Sequence, residues 1–504
     1  MKKSVLDYLQ RAAKEYPEKD AYIDVAEQVT YGELNARAKS IATAILEEKN
    51  INRVPIVVFM DKTVQALVTF MGVVWSGNIY VPFDVHAPLD RLNLIMDVLQ
   101  PEFVITDDTY YDKATGLNIT SDRVLNIAAL QQKNADEERL LEIEKRILDT
   151  DPLYIICTSG STGIPKGVVI SHRAVIDFTE EASEVMNFSD KEIFANQAPF
   201  YFDASVPDIY CTLRNAATLH IIPQEMFRFP VKVLEYINEH KVNAIYWVPS
   251  ALILTANLRA LGEVDISCLK KVMFCGEVMP VKQLNQWRKH LPDAMYVNYY
   301  GPSETTYAST YYIVDREFTN DQTLPIGKAA INTGILVLNE KDELVQGEEL
   351  GELCIKGSGL ANGYFNNPEK TKEVFVQNPL NKAFPEIIYR TGDLVRYNQY
   401  GEIEYVCRKD YQIKHMGYRI ELGEIEAAAM SMNKLQRVCC MYNDRKKQIV
   451  LVYEGNVDEA DVRTYLQQKV PEYMVPAVCV KEKALPMNAN GKIDRVALNE
   501  QYAK

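Results

Sequence analysis

A chain of 504 residues is too long for one ordinary core, so two or more domains are expected. It is 47% hydrophobic and 25% charged, and 69 acidic against 55 basic residues give a net charge of −14. That balance disfavours nucleic acid or an anionic membrane as the main partner, since both call for a basic surface. Nine scattered cysteines without a CxxC pair, and six histidines without ligand spacing, suggest neither a disulfide framework nor a transition-metal enzyme.

The first twenty residues, "MKKSVLDYLQRAAKEYPEKD", predict a helix whose charges interrupt its apolar residues. This is neither a signal-peptide core nor a membrane span, and no later apolar stretch approaches the ~18 residues a span requires. A cytoplasmic protein without membrane insertion is expected, and a monomer. "VPIVVFM" (54–60) then reads as a buried strand and "TVQALVTFMGVVWSG" as a small-residue helix. Further apolar runs follow: "FVITDD", "LYIICTSG", "AATLHIIP", "NAIYWVPS" and "KVMFCGE". Continuous apolar runs alternating with amphipathic segments predict layered α/β architecture with parallel strands. From about residue 330, "TGILVLNEKDELVQGEELGELCIKG" alternates in period two and predicts antiparallel hairpins, a β-rich subdomain. After "VCRKDYQIKHMG" come a helix, "ELGEIEAAAMSMN", two strands, "RVCCMYN" and "QIVLVYEG", and a further helix. The boundary is set at Asp410, which divides the chain into 1–409 and a small, mobile α+β unit, 410–504.

The stretch "YIICTSGSTGIPKGVVISH" (154–172) sits between two strands. Its glycines permit a tight turn with N–H groups aimed at an anion; Thr158, Ser159, Ser161 and Thr162 add hydroxyl donors, and Lys166 adds a positive charge. Gly167 follows the lysine where a P-loop NTPase has Ser or Thr, so that class is disfavoured.

This loop resembles the phosphate loop of the adenylate-forming superfamily, near to T-S-G-S-T-G-x-P-K-G. The resemblance continues in order through "NYYGPSE" (298–304), "YRTGD" (389–393), "RKDYQIKHMGYRIELGEIE" (408–426) and "NGKIDR" (490–495). It implies ATP and Mg²⁺ as cofactors and a two-step reaction: an acid becomes an acyl adenylate, then passes to the phosphopantetheine thiol of a carrier protein. It implies that Thr158, Ser159, Gly160, Ser161, Thr162, Gly163 and Lys166 hold ATP phosphates, with Asn298, Tyr299, Tyr300, Gly301, Pro302 and Ser303 also at the nucleotide. Tyr300 would lie on adenine, Asp393 and Arg408 would reach ribose or phosphate, and Glu304 would hold Mg²⁺. Lys492 would be catalytic, an ammonium bridging the substrate carboxylate and the α-phosphate. Asp410 would be the hinge about which the small unit turns between the two steps.

Asp203, in "FYFDASVPDIY" (200–210), stands where amino-acid-activating members bind the substrate's α-ammonium; helix N-capping is the other use of such an Asp. The pocket positions carried over with it are Ala204, Pro207, Tyr246, Met273, Cys275, Tyr299, Tyr307 and Ala308, and their bulk implies a small side chain. "FCGEVMP" (274–280) matches the D-alanine–carrier protein ligases, in which a cysteine at the position of Cys275 sits beside the substrate Cα. D-Alanine bound for teichoic acid is therefore the expected substrate. "GYRIELGEIE", the three tyrosines and Cys407 in place of the usual Gly depart toward the adenylation domains of non-ribosomal peptide synthetases. An adenylation enzyme of that kind for another small amino acid stays open, as does an inactive nucleotide- or carrier-binding regulator. No carrier signature follows Lys492, so a freestanding enzyme is expected.

Overall fold

The computed structural model describes residues 2–160, 164–487 and 493–503. Ser161, Thr162, Gly163 and Lys492 lie outside the described residues.

Two large sheets carry the first 330 residues. The six-stranded sheet runs in the order Val124–Asn126, Phe103–Thr106, Pro55–Phe59, Ile79–Pro82, Pro152–Thr158, Lys166–Ser171. Its pairs are parallel except the last, an antiparallel hairpin with Thr158 opposite Lys166. The nine-stranded sheet has parallel inner strands, among them Ile193–Asn196, Ala244–Trp247, Lys271–Phe274 and Met295–Tyr300. Antiparallel Thr310–Ile313 and Lys328–Ala329 complete one edge, and Asp20–Ile23 with Gln28–Thr30 the other. The Pro55–Phe59 strand is buried at every position, as a strand covered on both faces must be.

Helices fill the space between the sheets. Val64–Trp75 is buried at all but one of its positions, so it packs all round and not along one stripe. A Cβ at Gly72 would come within 2.6 Å of Ile41, so glycine lets this helix lie directly on Tyr31–Glu48. The latter starts with a reciprocal cap between Thr30 and Glu33, which satisfies two backbone donors otherwise left open at a helix start. One apolar core joins these helices to both sheets and extends to Tyr246, Met273, Cys275, Tyr299 and Tyr307.

A β-rich subdomain follows: Thr333–Leu338, Gly351–Gly357, Ile387–Tyr397, Phe375–Gln377 and Ile403–Arg408, all antiparallel, as the period-two pattern predicts. Beyond it, Gln412–His415 and Tyr418–Glu421 form a two-stranded hairpin. Leu435–Asn443, Gln448–Gly455 and Val478–Glu482 form a three-stranded sheet with helices Leu422–Met430, Glu459–Gln467 and Arg495–Tyr502. The architecture is α/β with a separate β-rich subdomain. Among the described residues no helix is long and apolar enough to cross a membrane.

Candidate functional site

The loop expected to hold phosphate joins the two strands of the antiparallel hairpin, so its described polar groups stand at one sheet end. Among the described residues Thr158 Oγ1 is buried without a partner, a state that costs free energy unless an acceptor is supplied. A Cβ at Gly160 would lie 1.9 Å from the carbonyl oxygen of Ile164, so this turn excludes any side chain at that position. Lys166 is 9% exposed, with its Nζ 5.2 Å from the centre of the Tyr364 ring. Burial and the nearby Arg419 lower its pKa, and Glu304 and Glu421 oppose them.

Glu304 lies on the short 3-10 turn Ser303–Thr305 and is fully buried. Its Oε1 accepts the Tyr364 hydroxyl at 2.7 Å and its Oε2 accepts Arg419 Nη1 at 2.6 Å. Burial alone would push this carboxyl up; Arg419 and Lys166, with the two hydrogen bonds, hold it down at about 2. An ionised carboxylate is a hard oxygen donor and fits Mg²⁺, which takes most of its other ligands from phosphate and water, while the Lys166 ammonium stands 4.0 Å from Glu421 Oε1. Among the described residues no cluster of three or more His, Cys, Asp or Glu side chains that could hold a metal occurs.

The Tyr300 hydroxyl donates to Asp393 Oδ2 at 2.5 Å, and Arg408 Nη1 donates to Asp393 Oδ1 at 2.8 Å. Arg408 also forks onto both oxygens of Asp410, at 2.6 and 2.7 Å. Asn298 is buried and donates to the Pro325 carbonyl at 2.8 Å. The turn after Tyr300 is tight: a Cβ at Gly301 would meet Tyr307 O at 2.6 Å, and Thr306 and Tyr307 have φ of +59° and +71°. Such backbone strain persists where the surroundings impose it, and here it aims Tyr307 into the core.

Ser303 Oγ donates to Asp203 Oδ2 at 2.5 Å, which brings the "GPSE" turn against the "FDAS" segment. Burial pushes the Asp203 carboxyl up, and the Ser303 bond and Lys414 partly offset this. Asp203 does not act as a helix cap: neither its own 3-10 turn nor the helix Val206–Asn215 carries a side-chain cap. Behind it, the rings of Tyr246, Tyr299 and Tyr307 stand 6.0 to 6.4 Å apart in a triangle. Met273, Cys275 and Ala308 belong to the same cluster, with Ala204 packed against it. The Cys275 thiol lies 3.8 Å from Tyr307 O, and burial pushes its pKa up to about 12.

The sequence reading singled out neither Lys414, Arg419 nor Tyr364, yet all three enter the site. The first two ride on the 412–421 hairpin. Lys414 Nζ stands 5.9 Å from the Tyr300 ring centre, and Ser159 Oγ donates to Arg419 O at 3.0 Å and accepts Glu421 N–H at 3.2 Å. The hairpin tip is seated by Gly417 N–H on Glu277 Oε1 at 2.9 Å. Around it, Tyr418 stacks on Tyr473 at 3.8 Å with Phe202 edge-on, and Arg91 pairs with Glu424. The described neighbours of Lys492 stand elsewhere: Met487 pairs with Ile493, which packs on the three-stranded sheet. The 412–421 hairpin itself is not among the elements expected from the sequence, so what its side chains meet was not legible there.

The family described as "AMP-binding enzyme" matches residues 9–365. The chain is 31% identical to D-alanine–D-alanyl carrier protein ligase of Bacillus licheniformis, covering 99% of each chain. It is equally 31% identical to tyrocidine synthase 1 of Brevibacillus parabrevis and 30% identical to bacitracin synthase 1 of B. licheniformis, but spans only 45% and 9% of those proteins. Among solved structures, the amide bond synthetase McbA of Marinactinospora thermotolerans matches with TM-score 0.86 at 18% identity, covering 99% of this chain and 100% of that one. The Klebsiella oxytoca fusion NpsA-ThdA, an adenylation–PCP di-domain, matches with TM-score 0.82 at 22% identity, covering 95% and 93%. On the family match and the identity along its whole length, the chain belongs to the AMP-binding enzymes, the adenylate-forming superfamily.

Proposed function

We propose that this protein activates a small amino acid, D-alanine foremost, as its adenylate and transfers it to the phosphopantetheine thiol of a carrier protein, for D-alanylation of teichoic acid. The observation that carries the reading is Asp203: a half-buried carboxyl, with Ser303 as its hydrogen-bond donor, at the edge of a tyrosine-walled core. A half-buried acid with no cationic side chain in contact among the described residues suits a ligand ammonium, which fatty and aryl acids lack. The three bulky rings behind it favour a small side chain.

In the first step Thr158, Ser159 and Lys166 receive the ATP polyphosphate, Tyr300 offers its ring to adenine, and Asp393 accepts from ribose. Glu304 would hold Mg²⁺, which when bound would neutralise phosphate charge. Lys492 lowers the repulsion between the attacking carboxylate and the α-phosphate, two anions that otherwise hold each other apart. In the second step the unit 410–504, turned about Asp410, presents the 412–421 hairpin in place of Lys492, and the carrier thiol displaces AMP. The observed contacts of Arg419 with Glu304 and of Ser159 with the hairpin backbone support assigning this orientation to the second step.

A second reading, serine in place of alanine, is favoured by the Tyr246 and Tyr299 hydroxyls, buried polar atoms in an otherwise apolar core. ATP–pyrophosphate exchange with glycine and with both enantiomers of alanine and serine separates the readings, and mass spectrometry of a loaded carrier tests the transfer. Exchange confined to acids without an α-ammonium would remove the proposal.

A further inference from the structure

The segment 361–365 touches both charged groups of the phosphate site. Its backbone runs as an added strand beside the outgoing arm of the phosphate hairpin. Asn362 N–H donates to Val169 O at 2.8 Å, Val169 N–H to Gly363 O at 3.0 Å, and Phe365 N–H to Gly167 O at 2.8 Å. At its start, Ala361 N–H donates to the backbone carbonyl of Glu304 at 2.9 Å. This strap delivers Tyr364, 6% exposed, with its hydroxyl on Glu304 Oε1 at 2.7 Å and its ring 5.2 Å from Lys166 Nζ.

The two oxygens of Glu304 are held from different bodies. Oε2 is held by Arg419, which arrives with the 412–421 hairpin. Oε1 is held by Tyr364, which is strapped to the same sheet as the phosphate loop. We propose that Tyr364 is a positioning residue for nucleotide binding. Its hydroxyl fixes the Glu304 carboxylate so that Oε2 is presented to Mg²⁺ once Arg419 withdraws, and its ring holds the Lys166 ammonium toward the polyphosphate. The identity of metal and nucleotide rests on the reading proposed above. A glutamate side chain has three torsions, and an outer partner that fixes a ligating carboxylate is worth about 10- to 100-fold in metal affinity.

The test is equilibrium binding to the full chain, with Mn²⁺ as the spectroscopic stand-in for Mg²⁺ and a non-hydrolysable ATP analogue. Tyr364→Phe keeps the ring and deletes the hydroxyl. It is expected to weaken Mn²⁺ binding in the nucleotide complex by about 10- to 100-fold, with metal-free nucleotide affinity unchanged within about twofold. Tyr364→Leu removes the ring as well and is expected to lower nucleotide affinity by a further ~2- to 30-fold. In a Glu304→Gln background, Tyr364→Phe is expected to add no further loss, because the group it positions is gone. Unaltered metal affinity in Tyr364→Phe, an equal loss in the Glu304→Gln background, or a Phe variant that does not fold each makes Tyr364 a packing residue and overturns the proposal. A wild-type chain that binds the metal–nucleotide complex but activates no amino acid removes the proposed substrate and leaves this inference standing.

Discussion

Replacing Arg419 by alanine separates the two steps energetically. Arg419 Nη1 lies 2.6 Å from an oxygen of the fully buried Glu304, and its own side chain is 15% exposed. At that distance and an effective dielectric constant of ~20, the attraction is about 6 kcal/mol before the desolvation of both ions is subtracted. Deleting one partner of such a pair costs about 3–5 kcal/mol, since the remaining charge stays buried. The loss falls only on the orientation that places the hairpin against Glu304. Arg91–Glu424, Lys469–Asp90 at 2.5 Å and the Tyr418–Tyr473 stack survive the substitution and keep the shift near the lower bound. Carrier loading is therefore expected to fall by about 10²-fold, while pyrophosphate exchange stays within a few-fold of wild type. Parallel loss of both rates, or no change in loading, would refute the assignment of this orientation to transfer.

Asp203→Asn keeps the volume and removes the charge; the KM for the amino acid should rise at least tenfold with the KM for ATP unchanged, and equal rises in both would exclude an ammonium site. Lys492→Ala should lower pyrophosphate exchange on the order of 10²-fold with the melting temperature preserved; near-normal exchange removes its catalytic role. Glu181, on the helix His172–Val185, accepts Ile331 N–H at 2.7 Å, and burial raises its carboxyl from 4.5 to about 7. The native state keeps a proton there that the unfolded chain has released, so this group's contribution to stability is lost as pH climbs from about 4.5 to about 7. Denaturation midpoints across that window should fall less steeply in Glu181→Gln; an unchanged slope in the variant contradicts this.

What could be read from the sequence was what is local. The strands Pro55–Phe59, Ala244–Trp247 and Lys271–Phe274 reveal themselves because double burial demands unbroken apolar runs. The order of strands was hidden: nothing in Asp20–Ile23 says that it lies beside Thr218–Ile221, some two hundred positions on. The same holds for charge. Arg419 and Glu304 are 115 positions apart, and their pairing follows from how a whole unit docks. Tyr364, amid "ANGYFNNPE", has the composition of a turn and shows its chemistry only when the strap meets the phosphate hairpin.

Of the nine cysteines, Cys407 alone is exposed, and it sits three residues before Asp410 on the last strand of the β-rich subdomain. The native chain thus offers a maleimide dye its most accessible anchor beside the proposed hinge. Fluorescence from that position would follow rotation of the small unit in real time without introducing a foreign thiol.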